Sequence, residues 1–412
     1  AIPERPFLIM QTRTHTAPIT RMALLASQEL LVTVSLDKTL MLWDGETGGQ
    51  RRAFRLPEGE GEENRPFSVA ISPLNGDIVC GSWKASWETA NALTVFDVES
   101  GEIRTVIRHL PNVAYHLAFS PDGRYLAASL GWGGGLYLFD ARNGYALADV
   151  YQTDASGSMW CDFSPDGSKL AATSDLGSIT LFAVNGGKLS VSAQRNEAGR
   201  KPYTVAFSPD GRRLAASFLN DSQAPIEVYS AVDLTLNYRP MTKGISNRLT
   251  TLCWSQDGGF LYAGGAPEGQ QNWLYCWERG GRGAYSTIPI PADEITQLIP
   301  YKDAVIWSAY DASWGIATRN GLSLCRKPAT LFGIREPDPL QLDENGERLR
   351  FSIPGYSSAF VFDCSQRILY RETPGFLPFS LLPPITTGMG IEDWKESETP
   401  TINGELLPLQ EG

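Results

Sequence analysis

The sequence predicts an all-β chain built as a ring of four-stranded antiparallel sheets, and three observations carry that prediction. A near-identical segment recurs at constant spacing. Each copy places a proline–aspartate–glycine turn between two short apolar runs. Glycine (40) and proline (27) make up about one in six of the 412 residues, which implies many turns and little long helix.

The best copies are residues 119–129 (FSPDGRYLAAS), 163–173 (FSPDGSKLAAT) and 207–217 (FSPDGRRLAAS), 44 residues apart each time. Looser copies begin at Ile71 and Trp254. Within one copy, Tyr115, Leu117 and Phe119 alternate along a first strand that runs into the turn. Proline presets φ at the first corner, aspartate tolerates the second, and glycine takes the left-handed position, so the segment folds as a hairpin. Residues 126–129 form the second strand and 136–140 the third, and Arg142, Asn143 and Gly144 turn into a fourth. Four antiparallel strands every ~40–50 residues make one blade of a β-propeller. A lone blade cannot bury both faces, so blades must stack in a ring.

Third strands close near residues 44, 97, 140, 182, 229, 277, 318 and 363, mostly on an aromatic such as Trp43, Phe96, Phe139, Phe182, Tyr229 or Trp277. Weaker copies over 281–372 bring the total to eight units. Eight blades is the expectation; seven blades plus one unit left for a neighbouring domain is the rival. The propeller then covers residues 1–372. Residues 373–412 are first proline-rich (Pro374, Pro378, Pro383, Pro384) and then acidic, and read as a tail or linker.

The repeat resembles the WD40 family, most clearly in the first copy: His15, the run Leu31–Ser35, Asp37 and Trp43-Asp44. The resemblance implies a buried hydrogen-bond chain through His15, Thr33 or Ser35 (Ser35 is preferred here), Asp37 and Trp43. With three histidines in the chain, packing must hold most other blades. It also implies that the N-terminal strand, Phe7–Met10, closes the ring by completing the last blade. Residues 393–395 and 399–408 look like the stretch between repeat blocks in large bacterial WD40 proteins, some of which carry a caspase-like peptidase domain. That likeness points to a piece of a longer protein, with a protease domain or subunit as a further partner.

Other classes are disfavoured. No apolar run reaches the ~18–20 residues of a membrane helix. The net charge of -11 argues against nucleic acid as a partner. Cys80, Cys161, Cys253, Cys276, Cys325 and Cys364 form no CxxC pair, so they read as buried free thiols in a reducing, cytoplasmic compartment, with no metal site. The N-terminus has no signal-peptide character. No GxSxG, HExxH or Walker motif is present. The Gly131–Gly135 cluster leads into a strand rather than a helix and reads as a tight turn, not a phosphate loop. No cofactor is implied.

What remains is surface recognition. Loops joining second to third strands, and those entering first strands, share one face, called the top. Indoles concentrate there: Trp83, Trp87, Trp132, Trp273 and Trp314, with Tyr115, Trp160 and Tyr203 at the starts of first strands and Lys84, Arg248 and Arg319 as cations at the rim. Trp and Tyr give contact area at low entropy cost and dominate binding hot spots. The expected function is a non-enzymatic scaffold that binds a protein or peptide through this face. The alternatives are a regulatory or sensor portion of a bacterial effector linked to a caspase-like protease, and an enzyme with its site at the channel.

Overall fold

The computed structural model of the protein describes residues 14–327 apart from 57–64, 84–90, 153–156, 198, 220, 222–223, 246, 268 and 270, together with 341–342, 347–351, 360–363 and 368–371. Four consecutive strands at a time pair antiparallel into separate sheets. The seven sheets between residues 19 and 326 are blades 1 to 7. Their innermost strands are Ile19–Leu25, Arg65–Ile71, Ala114–Phe119, Ser158–Phe163, Lys201–Phe207, Asn247–Trp254 and Ile295–Tyr301.

The repeated turn behaves alike in each good copy. In blade 3 the Ser120 hydroxyl donates to Asp122 at 2.6 Å and accepts from the Tyr125 amide at 2.9 Å, while the Arg124 amide donates to Asp122 at 3.0 Å. Ser164 with Asp166, Ser208 with Asp210 and Ser255 with Asp257 repeat the pattern. Gly123, Gly167, Gly211 and Gly258 hold φ between +67° and +70°, a conformation that a Cβ disfavours.

Apolar side chains on the two faces of each sheet pack against the two neighbouring blades, and among the described residues seven core clusters map onto seven seams. The last seam closes the ring: Met22, Leu31, Met41 and Trp43 of blade 1 pack with Tyr301, Ile306 and Trp314 of blade 7. The expected eighth blade is therefore corrected to seven, because blade 7 already finds its second neighbour in blade 1. The four strands Gln341–Leu342, Arg348–Phe351, Phe360–Asp363 and Ile368–Arg371 form an additional sheet in a second compact unit, separate from the unit that holds blades 1 to 7. The ring also needs no N-terminal strand for closure. Blade 7 draws all four strands from residues 295–326, and Phe7–Met10 lies outside the described residues.

An innermost strand leaves one backbone edge without a sheet partner, and such groups need hydrogen bonds. Side chains from neighbouring blades supply them. Thr20 donates to Pro66 O (2.9 Å), Ser68 to Ala114 O (2.7 Å), Thr173 to Tyr203 O (2.8 Å) and Thr204 to Thr250 O (2.8 Å). The Met22 amide donates to Gln297 Oε1 at 2.8 Å, so the same device spans the closing seam.

Asp162 accepts from the Phe207 amide at 2.8 Å as the carboxylate version of this latch. Burial pushes its carboxyl up to about 7, although backbone donors at Phe207 and Phe163 oppose the rise. Between the ordinary carboxylate range and pH 7 the folded state thus holds a proton that the unfolded chain has lost. This group's contribution is complete below about pH 4 and is lost as pH rises through about 7. Asp162→Asn is expected to leave stability at pH 4 nearly unchanged and to raise it at pH 8, by an amount on the order of 1–3 kcal/mol. Urea melts at the two pH values check this; an equal effect at both would refute it.

Candidate functional site

The register of every innermost strand slips near its upper end: between Ile19 and Arg21, Pro66 and Ser68, Ala114 and His116, Ser158 and Trp160, Pro202 and Val205, Leu249 and Thr251, and Ile295 and Gln297. A bulge re-aims the extra residue and bends the strand. Phe67, Tyr115, Met159 and Tyr203 occupy these positions in blades 2 to 5. Arg21, Ser68, His116 and Trp160 follow one step deeper.

Aromatic rings connect across these positions. Trp83 meets Phe67 edge-on at 6.5 Å, Phe67 lies 6.2 Å from Tyr115, and Tyr115 lies 6.1 Å from Trp132. Glycine makes the last contact possible. A Cβ on Gly131 would lie 2.5 Å from the Tyr115 ring, and one on Gly157 would lie 2.4 Å from the Trp132 amide. The Gly131–Gly134 turn, closed by a 3.0 Å hydrogen bond, therefore lets Tyr115 rest on bare backbone and lifts Trp132 outward with 70% of its surface exposed. Leu176, on the corresponding turn of blade 4, is equally exposed. Burial, with Tyr203 and Asp175 nearby, raises the Tyr115 hydroxyl above its ordinary range and keeps it neutral.

A second group gathers from the innermost strands of blades 1, 3, 4 and 5. Trp160 is buried and stacks on His116 at 3.7 Å. Arg21 reaches over from blade 1, its guanidinium 5.0 Å from the Trp160 ring and 3.4 Å from the Tyr203 hydroxyl. Blade 1 adjoins blades 2 and 7, so this contact with blades 4 and 5 crosses the ring. Sequence reading missed Arg21, because nothing local distinguishes it from a solvated strand residue.

The other expected top-face residues divide. Trp314 is corrected: it is buried in the closing seam, 5.4 Å from Trp43, and presents nothing to a partner. Trp273 lies within the strand Asn272–Glu278, half-buried against the seam of blades 5 and 6. Arg248 is exposed at the start of the innermost strand of blade 6. Arg319 lies instead beside Asp257, Phe260 and Lys302, lining a depression at the Ser-Gln-Asp-Gly turn of blade 6 on the opposite face. Lys84 and Trp87 lie outside the described residues, as do Cys364 and the 373–412 segment.

In blade 1, Thr33 rather than Ser35 bridges the buried chain. The Trp43 indole N–H donates to Thr33 Oγ1 at 2.7 Å, and Thr33 Oγ1 lies 2.7 Å from His15 Nε2. His15 Nδ1 is 3.2 Å from Asp37 and 3.0 Å from Thr39. Ser35 instead donates to Ala17 O at 2.7 Å. In a strand the side chains of 33 and 35 share a face, so sequence spacing alone does not choose between them. Burial would raise the Asp37 carboxyl, but the His15 contact and donors from Thr39 and the Thr16 amide hold it below the ordinary range.

A second polar network was not anticipated. Glu227 is fully buried and accepts from Arg200 (3.0 Å), Arg239 (2.7 Å) and the Tyr229 hydroxyl. Arg200 also pairs with Asp221 (2.6 Å) and Glu197 (3.1 Å) and lies 3.6 Å over the Phe218 ring. The available signal was one acid inside the apolar strand Ile226–Ser230.

Comparison with known proteins agrees with the architecture. The WD domain, G-beta repeat model matches residues 7–44 and 101–140. The chain is 25% identical over 253 residues, 61% of its length, to periodic tryptophan protein 2 of Arabidopsis thaliana, and 28% identical over 208 residues, 50% of its length, to WD repeat-containing protein SL1-17 of Schistosoma mansoni. These alignments span 23% and 63% of the two relatives, less than two thirds of either. The β-propeller domain of Cps50 (Swd1) from Myceliophteria thermophila superposes with a TM-score of 0.57 at 17% identity, covering 72% of this chain and 96% of that one. The closed ring of four-stranded blades, the His15–Thr33–Trp43 chain and the two repeat matches together support a WD40-type β-propeller.

Proposed function

We propose that the propeller is a non-enzymatic recognition module that binds an extended protein or peptide segment across its top face, over blades 2 to 4. The observation that carries this reading is the exposed Trp132 indole, displayed by a glycine turn at the end of the Trp83–Phe67–Tyr115 ring series. A large exposed aromatic backed by a rigid sheet suits a hot spot, and loops on a rigid scaffold are where recognition concentrates. WD40 propellers generally serve as protein-interaction scaffolds.

The chemistry inside the channel favours binding over turnover. Cys161 Sγ lies 3.8 Å from His116 Nδ1, the spacing of a nucleophile and base. Burial pushes the thiol up to about 12 and, with the Arg21 charge, pushes His116 well below its ordinary value. Both shifts oppose the thiolate and imidazolium that a cysteine nucleophile needs. Among the described residues no group of three His, Cys, Asp or Glu side chains is placed to hold a metal, and no helix is long and apolar enough to cross a membrane.

Trp132→Ala is expected to reduce partner recovery by about tenfold or more, as loss of a hot-spot aromatic does. It should change unfolding free energy by less than about 0.5 kcal/mol, since the side chain is mostly solvated. Quantitative capture on immobilised wild-type and variant protein, with parallel urea melts, tests both; undiminished recovery would overturn the reading.

A further inference from the structure

We propose that the channel mouth reads an acidic side chain, Asp or Glu, within the bound segment, and that Arg21 is the residue that reads it. The proposal rests on the top-face reading above and adds the chemistry of the partner.

Arg21 is a half-buried cation for which no carboxylate among the described residues forms an ion pair. Its guanidinium carries five N–H donors in a fixed fork. Nη1 donates to Thr20 O at 2.7 Å, Nη2 makes only the 3.4 Å contact with Tyr203, and the buried Nε has no acceptor. The contrast with Arg200 is instructive: that arginine meets three carboxylates on the same protein. At the same level of the ring the buried Thr251 hydroxyl is also without a partner.

The surroundings select the ligand class. Trp160 and the neutral His116 form an apolar floor, so a carboxylate meeting the guanidinium is weakly screened and gains a charge-assisted, forked hydrogen bond. The one guanidinium fork of Arg21 matches a carboxylate; a phosphate dianion is best met by several cations converging on it. Half-buried Tyr203 on blade 5 meets the guanidinium, half-buried Tyr115 on blade 3 lies near Tyr203, and Trp132 and Leu176 extend the apolar surface. A chain crossing the mouth therefore lays apolar side chains on the rings while its acid points down. That geometry fits an internal acidic residue rather than a chain terminus.

The test selects a random 12-residue peptide library, flanked at both ends by constant linkers, on the immobilised full chain. Selected sequences are then synthesised with acetylated and amidated ends. The expected consensus is one Asp or Glu beside aromatic or aliphatic residues. Arg21→Gln should weaken these peptides about 10- to 100-fold and abolish the preference for acid over amide, while Arg21→Glu should shift selection toward Lys or Arg. If an Arg21 variant fails to fold, changing the peptide's Asp to Asn against the wild-type protein measures the same contact. Trp132-dependent peptides lacking an acid, binding indifferent to Arg21→Gln, or binding only through a free C-terminus would each overturn the proposal and leave the top-face reading standing. Failure to select any peptide, or peptides that bind Trp132→Ala equally well, would instead overturn that underlying reading.

Discussion

Arg200→Ala lowers the unfolding free energy by about 3–5 kcal/mol, the expected effect of removing one partner from a buried ion pair. The size follows from what is left behind. Glu227 has no exposed surface and would retain Arg239 and Tyr229 but lose the cation that also holds Asp221 and Glu197. The loss includes packing, since the Arg200 guanidinium covers Phe218 at 3.6 Å. Arg200→Lys should fall between wild type and alanine, because an ammonium keeps the charge but cannot reproduce the fork.

The same network predicts an acid limb. Burial alone would raise the Glu227 carboxyl, but hydrogen bonds from Tyr229, Arg239 and Arg200 and the Arg200 charge hold it below the ordinary range. A depressed folded value contributes stability that is present above the unfolded value and is lost as pH falls through the folded one. Wild type should therefore lose more stability than Arg200→Ala as pH falls below about 4. Urea melts across pH 3–7 give both quantities; a loss under about 1 kcal/mol at pH 7 would mean that the network is energetically idle.

Trp43→Ala is expected to cost a similar ~3–5 kcal/mol, by a different route. The indole is buried against Trp314, Leu31 and Ile306 at the seam joining the first and last blades. Truncation leaves a cavity there and removes the donor to Thr33. Trp43→Phe should recover part of the packing but none of the hydrogen bond. Thr33→Val, nearly isosteric, removes the bridge alone and should cost less than Trp43→Ala. If Trp43→Ala proved no more destabilising than Trp132→Ala, the seam would not be the closing element described here.

Strand and turn positions were legible because their causes are local. Third strands end within a few residues of the positions read from the repeat, and the four proline–aspartate or glutamine–aspartate turns carry the same hydroxyl–carboxylate geometry. The number of blades was not legible. Residues 341–371 carry a strand pattern as acceptable as that of blade 7, and only the filling of the closing seam by Trp43, Tyr301 and Trp314 decides that the ring stops at seven. Trp132 and Trp314 show the same limit within the site. Both follow second strands of their blades, yet one is 70% exposed and the other buried, because a glycine turn lifts the first while the second heads a strand facing the seam.

By itself, then, the amino-acid order determined the hairpins, the four-strand unit and the presence of a propeller, since turn chemistry and two-residue alternation act over a few neighbouring positions. The tertiary structure alone decided the ring size, which indoles reach solvent, the choice of Thr33 over Ser35, and the meeting of Arg21 with blades 4 and 5. Those outcomes depend on volumes and charges brought together from residues as many as 275 positions apart, as in the Met22–Gln297 latch, and no local pattern records such distances.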